Sequence, residues 1–253
     1  MDSNQAKKLV RQNREVYNTI ASFFSDTRAY LWEELEPLAG FAKPGDHILD
    51  VGSGNGRLYQ IFQEKQAHEH SNKALAEPAK TDLSSRIEYV GIDQSEELVE
   101  IARKKVPDGT FHVGEMTALP FEDGSFDIVY CIATFHHLPD KEMRLTALGE
   151  MKRVLKPAGL LIMTNWNLHS KSAQKNIEKG KWRVEESSHF IIPWFSPKGD
   201  ILGERYYYGF EPHELAELFE ETGFKILEQY FVRKGSKTDQ LEGNNIVSIL
   251  KKT

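Results

Sequence analysis

Three glycines, spaced two apart, follow an apolar run and a carboxylate in Ile48-Leu49-Asp50-Val51-Gly52-Ser53-Gly54-Asn55-Gly56-Arg57. Glycine lacks a Cβ, so a turn of this kind adopts positive φ and lets a ligand press against bare backbone. The helix expected next points its first N–H groups at the same crevice. Gly52 and Gly54 fit the first two places of the dinucleotide pattern G-x-G-x-x-G, but its third glycine would fall at Arg57. A dinucleotide pyrophosphate sits on a helix N-terminus, whereas Asp50 beside the cradle suits a ligand carrying an ammonium or a sulfonium. Two glycines can also serve a tight turn for steric reasons alone, so the turn by itself leaves both readings open. A second chemical pair, His136-His137, follows the apolar run Phe126–Ile132. Ligands of open parallel sheets bind at the carboxyl ends of strands, so one of these histidines is placed to meet a ligand. Adjacent residues point in different directions, which argues for one and not both. Cys131 is the only cysteine, and no metal site is expected; His68 and His70 read as solvated.

The elements that must hold these residues alternate. A helix over 3–25 carries Leu9, Val16, Tyr17, Ile20 and Phe24 on one face, and a second covers about 28–39. Strands are expected at 46–51, 87–92, 110–113, 126–132 and 159–165, with helices after Asn55, after the cap Ser95, and over 141–155. Residues 66–86, rich in Ala, Ser and Lys, read as an exposed insertion. After Trp166 the alternation stops: 168–188 is polar and basic, and 190–208 is aromatic-rich around Ser196-Pro197-Lys198-Gly199. A helix at 211–221 and strands at 224–232 and 244–251 close the chain. Strand–helix alternation at this spacing predicts parallel βαβ units with helices on both faces.

A length of 253 residues fits one α/β domain: helices over 1–40, a ligand-binding core over 46–165, an insertion over 166–210 and a closing segment over 211–253. Hydrophobic residues at 40% and charged residues at 28% are ordinary for a globular chain. No run nears the roughly 18 apolar residues of a membrane helix, and the start MDSNQAKK does not read as a signal peptide, so a cytoplasmic protein without membrane partners is expected. A net charge of −6 argues against gripping nucleic acid with the whole surface, though not against a basic patch. Lys171, Lys175, Lys179, Lys181 and Arg183 form one such candidate, and Lys7, Lys8, Arg11 and Arg14 another; a solvated lysine-rich loop is an equal reading.

The D-x-G-x-G-x-G turn resembles motif I of the class I S-adenosylmethionine-dependent methyltransferases. The resemblance extends through Asp93 after the second strand, Glu115-Met116 after the third, Leu119-Pro120-Phe121 with Phe126-Asp127-Ile128-Val129, and Arg153-Val154-Leu155-Lys156-Pro157-Ala158-Gly159. It implies a Rossmann-like seven-stranded sheet, mostly parallel with the last strand antiparallel, preceded by an N-terminal helical extension. It implies S-adenosylmethionine as cofactor, held by Asp50, Gly52, Ser53, Gly54, Asn55, Gly56, Asp93, Gln94, Glu115, Met116 and Ile132. Asp93 would accept the ribose hydroxyls, and Glu115, where the family has Asp, the adenine amino group. Ala158 stands in place of a family glycine.

The flanks narrow the resemblance. Asn13-Arg14-Glu15-Val16-Tyr17-Asn18-Thr19-Ile20-Ala21, Phe23-Phe24-Ser25-Asp26-Thr27-Arg28 and Trp32 resemble the eukaryotic-type tRNA methyltransferases that esterify 5-carboxymethyluridine at the wobble position, including the methyltransferase domain of their AlkB-type relative. Ile132-Ala133-Thr134-Phe135-His136-His137-Leu138 and Phe190-Ile191-Ile192-Pro193-Trp194 with Arg205-Tyr206-Tyr207-Tyr208-Gly209-Phe210 resemble the same family. Ser53 and Arg57 replace its Cys and Lys, Tyr208 a His, and Gly243-Asn244-Asn245 is the remnant of its GNW ending. The resemblance implies tRNA as substrate and a small zinc-binding activator subunit as partner. A carboxylate is already an anionic nucleophile at neutral pH, so the enzyme has mainly to hold it in line and exclude water. Arg28 would clamp the carboxylate, with His136 or His137 on the acceptor side. The alternatives are a small-molecule O- or N-methyltransferase on the same fold, and a cofactor-binding, non-catalytic tRNA-modification adaptor.

Overall fold

The computed structural model of the chain describes residues 1–27, 34–63 and 87–253. Arg28, Trp32 and the 66–86 insertion lie outside the described residues. Helix α1 spans Ser3–Asp26, capped by the Asp2 carboxylate, which accepts from the Gln5 N–H at 2.9 Å. Helix α2, Leu35–Ala39, leads to β1 (His47–Val51), and residues 57–63 form α3. Then come β2 (Glu88–Asp93), α4 (Glu96–Lys105), β3 (Thr110–Val113), β4 (Phe126–Ile132), α5 (Lys141–Val154) and β5 (Leu155–Trp166). The remainder is α6 (Lys171–Glu178), β6 (Arg183–Glu186), β7 (His189–Phe195), β8 (Ile201–Tyr208), α7 (Pro212–Glu221), β9 (Phe224–Arg233), β10 (Ser236–Thr238) and β11 (Asn245–Lys252).

The central sheet runs β10-β9-β11-β5-β4-β1-β2-β3, with β1 to β5 parallel and β11 antiparallel to both β5 and β9. The chain winds outward from β1 through β2 and β3, then returns to place β4 on the other side of β1. That reversal opens the crevice in which doubly wound sheets bind ligands, above the ends of β1, β2 and β4. Both faces are covered. Leu49, Val51, Val129 and Cys131 pack with Leu148 and Met151, while Ile48, Ile128 and Tyr130 pack with Leu58, Phe62, Val99 and Ala102. Alternate residues of the same strand thus enter opposite cores, and the strands read as nearly unbroken apolar runs.

Three details differ from the sequence reading. The sheet has eight strands, not seven, because Lys234 (φ 48°) and Gly235 (φ 74°) turn the chain into the short hairpin strand β10. β5 begins at Leu155 instead of Gly159: pairing with β4 starts at Leu155, is interrupted by a bulge, and resumes at Leu160. Ala158 sits in that bulge at φ 63°. Finally, 166–210 is ordered into α6 and a three-stranded antiparallel sheet, β6-β7-β8. Helix α1 docks on β8 through Asn13, which is fully buried and bonds the backbone of Tyr206 in both directions: its amide donates to the Tyr206 carbonyl at 2.9 Å and its carbonyl accepts from the Tyr206 N–H at 2.7 Å. Asn13 acts as a piece of strand inserted from a helix. It fixes α1 and the small sheet as one wall over the crevice.

Candidate active site

The crevice is a cavity of about 470 Å³ whose floor is the glycine turn and whose opposite wall is α1 with β8. Gly52 (φ 78°) could carry no side chain, since a Cβ would lie 2.2 Å from the Thr134 hydroxyl oxygen. At Gly54 (φ 54°) the nearest atom to a Cβ would be Phe24 at 3.8 Å, so the space a side chain would fill belongs to the cavity. The N–H groups of the turn are spent inside the fold. Those of Gly52 and Ser53 donate to the Ile92 carbonyl at 2.7 and 3.1 Å, and that of Gly54 donates to Asp93 at 2.9 Å. The floor therefore offers no ring of N–H donors for a phosphate; it presents carboxylates.

Asp50 is buried at the end of β1, with one oxygen taking a 2.5 Å hydrogen bond from the Tyr89 hydroxyl and the other, Oδ1, without a partner. Burial pushes its pKa up to about 7, with Asp93 adding to the rise and the Tyr89 bond and Arg57 opposing it. Asp93 accepts from the N–H groups of Ser95 (2.8 Å) and Gly54, and burial still raises it above the ordinary carboxylate range. It is a helix-flanking residue that also faces the cavity; the two roles coexist because each carboxylate oxygen carries two lone pairs. Two partly desolvated carboxylates with an orphaned oxygen make an electronegative floor that a cationic ligand would relieve.

Gln94, Glu115, Met116 and Ile132 line the same cavity along the ends of β2, β3 and β4, with Glu115 exposed and Met116 and Ile132 half-buried. Ser53 lines it with an unpartnered buried hydroxyl, and Asn55 lines it while its amide donates to the Ser25 hydroxyl at 3.0 Å, tying the turn to α1. Gly56 packs away from the cavity against Phe111. Ala133, next after β4, holds φ 51° at the cavity wall, a strained conformation for a residue with a side chain.

The two histidines part company on the turn of 3-10 helix Phe135–His137. His137 faces the cavity, whereas His136 is fully buried behind it, stacked on Tyr207 with ring centres 5.0 Å apart. Burial drives the pKa of His137 down to about 3, opposed by the Tyr206 carbonyl and reinforced by Arg205. The ring is therefore neutral at physiological pH, with Nδ1 2.9 Å from the Tyr206 carbonyl and 3.1 Å from the Asn13 amide nitrogen, and Nε2 in a 3.0 Å hydrogen bond with the Tyr17 hydroxyl. Burial, His137 and Arg205 push His136 down as well.

Two residues that the sequence offered only as members of motifs complete the wall. Arg205 on β8 is 3% exposed, lines the cavity and has no carboxylate partner among the described residues. Its guanidinium lies 5.0–5.6 Å from the ring centres of Trp194, Tyr207 and Tyr17, one N–H reaches the Tyr17 hydroxyl at 3.4 Å, and Nε–H is unpaired. Burying a cation without a counter-ion costs several kcal/mol, so the site is built to receive an anion. Tyr17 links Arg205 to His137. In the sequence Tyr17 belonged to the Asn13–Ala21 motif and Arg205 to the Arg205–Phe210 run, without a role for either. Arg28, expected beside them, lies outside the described residues. Among the described residues no group of three or more His, Cys, Asp or Glu is placed to hold a metal ion, and no helix is long and apolar enough to cross a membrane.

Residues 42–223 match a family described as "Methyltransferase domain". The human protein named "Probable tRNA methyltransferase 9B" is 30% identical over 192 residues, covering 76% of this chain and 35% of that protein; the chain thus spans about a third of that relative's length. The Schizosaccharomyces pombe tRNA (carboxymethyluridine(34)-5-O)-methyltransferase is 25% identical over 237 residues, covering 87% of this chain and 91% of the relative. Among solved structures, a candidate methyltransferase in complex with the Haloferax volcanii Trm112 methyltransferase activator superposes with a TM-score of 0.64 at 18% identity, covering 95% of this chain and 97% of that one.

Proposed function

The chain belongs to the methyltransferase domain family, and from that premise we propose that it methylates a carboxylate oxygen of 5-carboxymethyluridine at the tRNA wobble position. S-adenosylmethionine is the cofactor, and the floor of the cavity fits it. The orphaned Asp50 Oδ1 suits the cofactor's ammonium, Asp93 the ribose hydroxyls, and the open face of Gly54 the approach of the chain between them. Met116 and Ile132 would flank the adenine ring, with Gln94 and Glu115 at its polar edge and Ser53, Asn55 and Gly56 shaping the turn. When bound, S-adenosylmethionine supplies a methyl group on a positively charged sulfur, which a nucleophile displaces.

The observation that carries the acceptor is Arg205. A buried guanidinium with no carboxylate partner among the described residues, set on the wall opposite Asp50, fits an anionic acceptor group and orients it by charge-assisted hydrogen bonds. A carboxylate is ionised without help, so this reaction asks for no general base. The neutral His137, with both ring nitrogens engaged, matches that requirement: it holds Tyr17 and the wall in place and moves no proton. His136 supports Tyr207 from behind. The names of the human and fission-yeast relatives favour tRNA as the bearer of the carboxylate. The outer strand β3, with Val113 45% exposed, is the sheet edge we assign to a small zinc-binding activator subunit, in keeping with the complex found for the Haloferax structure.

Arg205→Met tests the acceptor assignment. Methyl transfer to carboxymethyluridine-bearing tRNA is expected to fall by at least two orders of magnitude while the Kd for S-adenosylmethionine stays within threefold. Equal loss of cofactor binding would reassign Arg205 to the cofactor's own carboxylate.

A further inference from the structure

Trp166, at the end of β5, belongs to two cavities. One face borders the cofactor cavity; beyond it lies a smaller pocket of about 280 Å³, walled by Trp166, Trp182, Asn176, Asn244 and Asn245. The rings are ordered. Trp182 lies parallel to Trp166 within 19° at 6.5 Å, and Trp166 lies parallel to Tyr207 within 19° at 5.0 Å. A row of nearly parallel aromatic faces therefore runs from the half-exposed Trp182 to the residue that flanks Arg205. Hydrophobic packing explains parallel rings, but not the amides beside them. Asn245 is 4% exposed and belongs to the pocket wall; its Nδ2 donates to Glu34, which fixes the amide, and its Oδ1 is buried without a partner. A buried carbonyl oxygen left unpaired is costly, and an N–H donor entering the pocket would satisfy it. Asn244 next to it is exposed and its amide is unbonded in the described structure.

The surroundings are rich in lysine, with Glu178 as the one acid between Lys171 and Arg183. Lys175 precedes Asn176 on α6, and Lys179 and Lys181 lie between α6 and Trp182; all three are exposed and, among the described residues, none is in an ion pair. Their neighbours Lys171 and Arg183 are instead tied to Glu242 and Glu204. A flat aromatic face, an amide pair for a ring edge and unpaired lysines at the rim are the three requirements of an unstacked nucleotide: a face, an edge and its phosphates.

We propose that this pocket is a nucleobase subsite, taking one unpaired base of the RNA loop next to the methylated nucleotide. The base stacks on Trp182, presents an N–H to Asn245 Oδ1, and is flanked by phosphates on Lys175, Lys179 and Lys181. This subsite rests on reading the acceptor as tRNA. Its place beside Trp166 lets one loop fill both cavities, with the modified base in one and a neighbour in the other.

The test uses the full chain, with its activator subunit if one is needed, and a fluorescent anticodon stem-loop carrying 5-carboxymethyluridine. Stacking on an aromatic side chain is worth about 1–3 kcal/mol per base, so Trp182→Ala is expected to weaken RNA binding by roughly 5- to 150-fold. Trp182→Phe should retain most of the affinity, and the Kd for S-adenosylmethionine should be unchanged in both variants. Asn244→Ala, a surface change, should weaken RNA binding without altering the melting temperature. Stem-loops with an abasic site on either side of the modified uridine complete a double-mutant cycle: with one of them the Trp182→Ala penalty should vanish. If the wild-type chain methylates the stem-loop but Trp182→Ala binds it normally, or if neither abasic site removes the penalty, the subsite is overturned and the tRNA reading stands. If the wild-type chain neither binds nor methylates the stem-loop, the tRNA reading falls and the subsite with it.

Discussion

Asp50 ties cofactor binding to pH. Without ligand its carboxyl titrates near 7, against an ordinary value of 3.8, because burial removes water from it and Asp93 stands nearby. With the cofactor's ammonium at the unpartnered Oδ1, as proposed, the ionised form is required. Binding then requires release of a proton wherever the pH lies below 7, and the apparent Kd scales with 1 + 10^(pKa − pH). Between pH 7.5 and pH 5.5 this factor rises about 25-fold, equivalent to about 1.9 kcal/mol. Titration calorimetry in two buffers of different ionisation enthalpy would measure the Kd and the proton count together. About one proton should be released per cofactor bound at pH 5.5, falling to about a quarter at pH 7.5. Asp50→Asn should bind weakly and without this slope. The same shift acts on the fold. A carboxyl whose folded pKa lies above its unfolded value stabilises the chain fully below about pH 4, and that stabilisation is lost as pH rises through 7. At pH 8 without cofactor, Asp50→Asn is therefore expected to melt higher than the parent, with an upper bound of about 4 kcal/mol. A flat Kd between pH 5.5 and 7.5, or an Asp50→Asn variant that melts lower at pH 8, would refute this reasoning.

Other perturbations follow from single contacts. Asn13→Ala strands the N–H of Tyr206 in a buried site and leaves its carbonyl with His137 alone; a loss of about 1–3 kcal/mol in chemical denaturation and loose docking of α1, seen as faster hydrogen exchange, are expected. Ala158→Gly relieves a left-handed alanine on an exposed bulge and should raise stability by about 0.5–1 kcal/mol in urea titration, with activity unchanged. Arg28→Ala, if Arg28 joins Arg205 at the acceptor, should collapse turnover in single-turnover assays while cofactor binding persists; simultaneous loss of both would remove it from that role.

The sequence made the core legible because the core is local. Each parallel strand buries both faces and so appears as an apolar run, and the glycine turn states its own geometry in three residues. The wall over the cavity was not legible, for physical reasons. β6 is Arg-Val-Glu-Glu with every residue exposed, and β7 carries Pro193, so neither shows strand alternation. α6 is short and basic and reads as a loop. Hairpin strand β10 was signalled only by Lys234-Gly235, a turn whose meaning depends on the strand before it. Neighbouring histidines look alike in a sequence; a turn of 3-10 helix turns His137 to the cavity and His136 away from it. The importance of Arg205 lies in its burial with no carboxylate beside it among the described residues, and that only tertiary structure reveals. Asn13 and Tyr17 belonged to a motif noted for its pattern; their work as a strand mimic and as the link between His137 and Arg205 came from the packing of α1 on β8.

The most direct test of the proposed function is to incubate the chain, alone and with a Trm112-type activator, with methyl-labelled S-adenosylmethionine and tRNA carrying 5-carboxymethyluridine. Label should enter the tRNA at the wobble nucleoside and be released by mild alkali, as an ester is. Label that resists alkali, or that appears in a metabolite extract and not in tRNA, would contradict carboxylate methylation of tRNA. Absence of label from both would mark a cofactor-binding adaptor instead.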